Sequence, residues 1–245
     1  MSGSTDGFPV SDFSRTPADR DDRGDGVGLK SDTVWSARAR AYVESDAHRE
    51  GEDLDLLVEW ATGAATALDV ATGGGHVARR LREAGLDVVT CDPAPGMGPD
   101  VICRAESLPF ADGAFDVVAC RTAAHHFDDV RTAVREMARV SRDRVLLVDT
   151  LHMGDAVEEA EALRDPSHIR NYTEAEWRGI VEEAGLGIDG VAFVSHAFDF
   201  QAWLDRTGCE GTDAGRVEEL LGSRVRDGRL TLDKLAIRAA KGFGS

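Results

Sequence analysis

A chain of 245 residues is long enough for one α/β domain with a sizeable core and too short for two of ordinary size. Its 28 Lys and Arg stand against 45 Asp and Glu, and the resulting formal charge of −17 opposes approach to duplex DNA or an anionic membrane surface. No apolar run nears the roughly 20 residues of a bilayer span and the start lacks the basic-then-apolar order of a signal peptide, so a cytoplasmic protein with no nucleic-acid partner and no membrane insertion is expected.

Residues 1–30 are rich in Ser, Gly, Asp and Pro and poor in apolar side chains, the composition of a disordered acidic tail. Trp35, Ala39, Tyr42 and Val43 lie at helical spacing, and a second helical stretch runs from Asp53 to about Ala61, ended by Thr62-Gly63. A β-α alternation follows: a strand over 67–71, a glycine loop, and a helix over 76–84 whose Val77, Ala78, Leu81 and Ala84 share a face. Leu86 to Cys91, a weaker run from Val101 to Cys103, Phe115 to Cys120 and Arg144 to Asp149 read as further strands. Asp128 is placed to cap a helix carrying Val130, Val134, Met137 and Val140. Strands separated by helices imply parallel pairing with right-handed crossovers. In the last third, Thr173-Glu174-Ala175-Glu176 is a capping box opening a helix that stops at Gly185, and strand-like runs over 188–200 and 230–240 suggest an antiparallel edge hairpin.

The stretch Asp69-Val70-Ala71-Thr72-Gly73-Gly74-Gly75 lies between a strand and a helix, where glycines let the backbone approach a ligand closely and the helix start offers free N–H groups. Gly73-x-Gly75-x-x-Ala78, with Asp92 following Gly73 by 19 residues, also fits a dinucleotide fingerprint. Asp69 separates the two readings. A carboxylate just before the loop repels a pyrophosphate but attracts an amino-acid ammonium, directly or through water. It therefore favours S-adenosylmethionine over a nicotinamide dinucleotide. Asp92 stands where a carboxylate bonds ribose hydroxyls, or else caps the turn into Pro93.

With Ala105-Glu106-x-Leu108-Pro109-Phe110 and Phe115-Asp116-Val117-Val118 added in order, the chain resembles class I methyltransferases of the ubiquinone and menaquinone biosynthesis type over about 35–241. Tyr42-Val43-x-Ser45-x-x-His48-x-x-Gly51-x-Asp53-Leu54 and Arg121-x-Ala123-Ala124-His125-His126-Phe127 resemble a less characterised branch of them. The resemblance implies a Rossmann-like, seven-stranded, mostly parallel sheet with an antiparallel C-terminal strand, helices on both faces and an N-terminal helical lid over 31–62. It implies a cofactor core over 65–150 and an acceptor-side insert with the C-terminal strands over 151–245. It further implies that Asp69, Ala71, Thr72, Gly73 and Gly75 hold the methionine part of S-adenosylmethionine, Asp92 the ribose, and the Ala105-Glu106 loop the adenine. Arg104 replaces the acidic residue that often bonds the adenine amino group. Between Asp92 and Arg104 lie only 12 steps, rich in Pro and Gly, so the helix after the second strand is expected to be missing or vestigial.

His125 and His126 follow a strand at the carboxyl edge of the sheet, and either can serve as base or position the acceptor; capping and packing are the structural alternatives. Arg121 is assigned to the cofactor carboxylate or an acidic acceptor, with His152, His168, Arg170 and Tyr172 as candidates for the acceptor wall. Cys91, Cys103, Cys120 and Cys209 read as buried thiols, and no His, Cys and carboxylate set has metal-ligand spacing. Only Lys30, Lys234 and Lys241 are lysines, a balance resembling proteins of salt-accumulating cells, with an acidic protein of a GC-rich genome as the plainer alternative. The expected function is direct methyl displacement onto a small-molecule acceptor. The rivals are an NAD(P)-dependent oxidoreductase and an inactive cofactor-binding relative of the fold.

Overall fold

Continuous apolar runs build the central strands, and because successive side chains point to opposite faces each strand feeds both. A computed structural model describes Ser36 and residues 51–242, so the expected tail, and the first helix with Tyr42 and His48, lie outside the described residues except for Ser36. Along β4 (Phe115–Arg121), Val118 and Cys120 enter one apolar cluster while Val117 and Ala119 enter the other. β1 (Thr66–Val70) and β5 (Ser141–Thr150) divide in the same way.

The first cluster is closed by α3 (Val130–Val140) and α5 (Glu174–Glu183) through Val134, Met137, Trp177 and Ile180. The second is closed by α1 (Glu52–Trp60) and α2 (His76–Glu83) through Leu54, Leu57, Val77 and Leu81. The sheet runs β3-β2-β1-β4-β5-β8-β6, with β2 (Asp87–Asp92), β3 (Val101–Ile102), β6 (Gly187–Asp199) and β8 (Arg229–Ala240). β1 to β5 pair in parallel, and β8 is antiparallel to both β5 and β6. The Rossmann-like, mostly parallel architecture is the one expected. Its eighth member, the two-residue β7 (Val225–Arg226) paired with β8, is too short to leave a periodic signal.

In place of a helix between β2 and β3 there is a three-residue 3-10 turn, Pro95–Met97. Gly96 has no room for a side chain, since a Cβ there would lie 2.7 Å from Cα of Ser36, whose hydroxyl accepts from Gly96 N at 3.1 Å. The cap of α3 is Asp129, which accepts from Thr132 N at 3.0 Å; Asp128, the expected cap, pairs instead with Arg104 at 2.6 Å. Helical stretches that were not anticipated are α4 (Asp155–Arg164), α6 (Phe200–Asp205) and α7 (Gly211–Leu221). They form a third cluster with Phe200, Trp203, Val217, Leu230 and Leu232 over the antiparallel pair of β6 and β8, whose connection α6 and α7 make in place of the expected hairpin turn, beyond the carboxyl edge of the sheet. The capping box at Thr173 and Glu176 forms as read. Among the described residues no helix is long and apolar enough to cross a membrane. Cys91, Cys120 and Cys209 are buried and Cys103 half-buried, all as free thiols.

Candidate active site

The carboxyl ends of β1, β2 and β4 meet where the strand order reverses, the place at which an open α/β sheet leaves a crevice. A cavity of about 990 Å³ lies there. It is bordered by Asp69, Ala71, Thr72, Gly73, Asp92, Ala105, Glu106 and Arg121, all named from sequence, and by Gly74, His76, Met97, Arg104, Thr122, His126 and Phe127. Gly75 does not reach it. With φ of 73° it is the left-handed N-cap of α2, a conformation that an L side chain adopts only under strain.

The glycine loop is held from three sides. Thr72 N donates to Cys91 O at 3.0 Å, Gly73 N to Asp92 Oδ2 at 3.0 Å, and Ala94 N to Asp92 Oδ1 at 2.9 Å. Asp69 is 1% exposed, and its Oδ2 accepts the Thr72 hydroxyl at 2.6 Å and Ala78 N at 3.1 Å. This carboxylate therefore braces the loop and the start of α2 in addition to facing the cavity, a role the spacing did not reveal. Burial pushes its pKa up to about 6; Thr72 and Ala78 oppose the shift and the charge of Asp92 adds to it. The loop after β3 is clamped by Arg139 of α3, which donates to Leu108 O at 2.9 Å, Phe110 O at 2.7 Å and Asp112 Oδ1 at 2.9 Å. At the rim, Arg104 lies between Asp128 and Glu106.

Arg121 is buried, and its Nε and Nη2 donate to Asp53 at 2.8 and 3.0 Å. The same carboxylate accepts from Lys234 Nζ at 3.0 Å. Asp53 of α1, fully buried, thus joins β4 to β8, so the guanidinium assigned to a ligand carboxylate is engaged within the protein while still bordering the cavity. Burial disfavours the Asp53 anion, but Lys234 and Arg121 together hold its carboxyl well below the usual range. Lys234 is itself pushed down to about 8, by burial first and then by Arg121, against the pull of Asp53.

A second cavity, of about 520 Å³, shares Thr122 and His126 with the first. His125 borders this one alone. Its Nδ1 lies 2.6 Å from Asp149 Oδ1, and its backbone N donates to Asp149 Oδ2 at 2.8 Å, so both oxygens of a buried carboxylate fix the ring. Burial alone would lower the His125 pKa; the charge and hydrogen bond of Asp149, aided by Glu161, outweigh it and the net shift is upward. His126 differs. Its Nδ1 lies 2.9 Å from Ser167 O and must donate to that carbonyl, and burial with the neighbouring His125 holds its pKa well below the ordinary value. The adjacent histidines thus present one basic and one neutral imidazole.

Thr122 has φ of 53°, unusual for a β-branched residue, and its buried hydroxyl has no hydrogen-bond partner. Ala71, at the end of β1, is likewise left-handed with φ of 54°. Sequence reasoning passed over Thr122, Asp149 and Lys234, which carry no motif and become neighbours only through pairing of β4, β5 and β8.

His152, His168, Arg170 and Tyr172 border neither cavity. His152 and His168 approach Glu158 at 3.4 and 3.2 Å, and Arg170 pairs with Glu176 at 2.6 Å while lying over Tyr172. Against the reading that no set has metal-ligand geometry, ligand atoms of Glu158, Glu161 and His168 lie within 4.8 Å of one another, a grouping made by the fold of the loop after α4. Glu158 is held there by His168 and by the backbone N of Asn171.

A family model described as a methyltransferase domain matches residues 68–148. The chain is similar to the uncharacterized methyltransferase YcgJ of Bacillus subtilis, 32% identical over 217 residues that cover 79% of this chain and 85% of the relative. The crystal structure of YcgJ superposes with a TM-score of 0.70 at 28% identity, covering 78% of this chain and 99% of that one. A demethylmenaquinone methyltransferase of Beutenbergia cavernae is 32% identical over 128 residues, 48% of this chain and 47% of its own.

Proposed function

Since the chain belongs to the methyltransferase domain family, we propose that it transfers the methyl group of S-adenosylmethionine to the hydroxyl of a small-molecule acceptor seated in the second cavity. The observation that carries this reading is a buried carboxylate, Asp69, behind a glycine turn at the switch point of the sheet. A diphosphate laid on that turn would face a negative charge, whereas a cationic amino-acid tail would be held by it. Loop backbone and the Asp69 carboxylate would take the methionine part, Asp92 the ribose, and the Ala105-Glu106 loop the adenine, all of them bordering one crevice. S-adenosylmethionine, when bound, supplies a sulfonium methyl.

Alignment of acceptor and methyl across the Thr122 and His126 boundary does most of the work such a displacement needs. With the cofactor held by the loop over 69–73 and Asp92, its methyl would be available to the acceptor oxygen, the bonding pair being left on sulfur. The hydroxyl proton passes to His125 Nε2, basic because Nδ1 is turned to Asp149. Asp149 orients that ring and stabilises the imidazolium that results. His126, neutral and with Nδ1 tied to Ser167, keeps its other nitrogen as a hydrogen-bond acceptor at the junction.

Isothermal titration with S-adenosylmethionine, S-adenosylhomocysteine and the four nicotinamide dinucleotides tests the cofactor. Mass spectrometry of a small-molecule extract incubated with labelled S-adenosylmethionine tests the transfer. Tight binding of a nicotinamide dinucleotide would overturn the reading, as would cofactor binding without any labelled product.

A further inference from the structure

The described residues contain three buried Arg or Lys side chains, Arg121, Arg164 and Lys234, and all three border one or other of the two adjoining cavities. Burying a cation costs several kcal/mol unless it is compensated, so their concentration at one place calls for a reason. Among the described residues, the wall of the second cavity carries Lys234, Arg164 and Arg206 against a single carboxylate, Glu161. The carboxylates paired with Lys234 and Arg164 do not form the wall. Asp53 lies behind Lys234, and Asp165 lies behind Arg164 at 3.6 Å without a hydrogen bond to it. Neither Asp53 nor Asp165 borders the cavity, and Asp53 is shared between two cations.

The rest of the wall is mixed, with Thr122, Thr150 and three histidines beside an apolar strip. Phe198 and Trp203 are aromatic, and Leu232 stands beside Lys234 on the same face of β8. Arg164 lies over the Trp203 ring, 4.1 Å from its centroid, which fixes its guanidinium at the border between the apolar and cationic parts. The end that meets the cofactor cavity is different again: there the strained Thr122 offers its unpartnered hydroxyl.

We propose that the second cavity is the subsite for a small carboxylate-bearing acceptor whose flat apolar body carries the hydroxyl to be methylated. The carboxylate would face Lys234 and Arg206, the body would lie against Phe198 and Leu232, and the hydroxyl would reach the junction, where Thr122 donates to it or accepts from it. The net charge of −17 does not forbid this, because surface charges beyond about 8 Å are screened at physiological salt while the cations of the wall are in contact with the ligand. The inference rests on the methyltransfer reading above and deepens it.

The test uses the full chain saturated with S-adenosylhomocysteine, whose binding is verified first, so that a failed cofactor site is separated from a wrong acceptor class. Matched probes are then titrated: 2-, 3- and 4-hydroxybenzoate, the corresponding hydroxybenzamides, and short aliphatic 3-hydroxy acids with their amides. At least one acid is expected to bind about tenfold tighter than its amide. Arg206→Gln, a partly exposed position at the end of α6, should remove most of that preference while leaving S-adenosylhomocysteine affinity unchanged. Lys234→Met should remove it too; Arg206→Gln keeps the test decisive if loss of the Asp53 partner prevents the Lys234 variant from folding. Equal binding of acids and amides, binding of neither at millimolar concentration, or an Arg206→Gln protein that keeps the preference would overturn the proposal.

Discussion

Replacing Asp53 by Asn removes an anion that two buried cations share. The amide keeps a single acceptor oxygen: with its NH2 in place of Oδ2, Arg121 Nε loses a bond of 2.8 Å and Lys234 Nζ one of 3.0 Å, and only the 3.0 Å bond from Arg121 Nη2 is left, at a position with 0% exposure. Breaking a buried pair by deleting one partner costs about 3–5 kcal/mol, because an uncompensated charge stays behind, and here the deleted partner serves two charges. At roughly 2–4 °C per kcal/mol for a domain of this size, thermal unfolding should begin at least 6 °C lower, and about 10–20 °C lower at the upper end. The double variant Asp53→Asn, Lys234→Met leaves one buried cation instead of two and should recover part of that loss, a coupling of about 1–3 kcal/mol in a double-mutant cycle. Urea unfolding of the four proteins measures both terms. A single-variant loss below about 1 kcal/mol, or strict additivity in the cycle, would refute the idea that Asp53 is the shared counterion.

Three further outcomes follow from the site. Asp69, raised to about 6 in the fold, is favoured as the neutral acid, so it contributes stability below its unfolded pKa of 3.8 and loses that contribution as pH rises through 6. A ligand ammonium needs the anion, so S-adenosylhomocysteine affinity should fall below pH 6 by up to about tenfold per unit, with uptake of ligand releasing a proton; titrations in buffers of different ionisation enthalpy count that proton, and pH-independent affinity would contradict the assignment. His125→Gln and Asp149→Asn should each lower kcat by about 10²–10⁴ with cofactor affinity unchanged, whereas a kcat within a factor of three would remove His125 as base. Thr122→Gly should raise stability by about 1 kcal/mol, by relieving the left-handed backbone and deleting an unpaired buried hydroxyl, while turnover falls; a destabilised variant would argue against stored strain.

The parallel core was legible because its signals are local. Continuous apolar runs, glycines at a strand end and a capping box each lie within a few consecutive residues, and they located β1, β2, β4, β5, α2 and α5 closely. The short interval after Asp92 likewise announced its own missing helix. The acceptor side was less legible for two reasons. α4 begins after Gly154, with no side-chain cap, and buries only Val157, Ala160, Glu161 and Arg164, a stripe half charged. The chemistry there is also assembled across strands: Asp149, Lys234 and Asp53 are far apart in sequence and meet only because β8 pairs between β5 and β6. Glu158, Glu161 and His168 were missed for the same reason, the two glutamates being one helical turn apart and the histidine brought back by the following loop.

β8 pairs with β5 only over 234–240, while its first residues, 229–233, run on beside β6 past the end of the parallel strands. The two strands therefore project as an arm, and alternate positions on it, His196, Phe198, Leu232 and Lys234, face the second cavity. None of these positions borders the cofactor cavity. On the proposed assignment, ligand preference is separable from the transfer chemistry: exchanging His196, Phe198 and Leu232, while keeping the Lys234 that Asp53 ties to Arg121, would retarget the enzyme and leave the machinery for activating the donor as it was. An engineer seeking new products would start there, and divergence between related chains would be expected to accumulate there first.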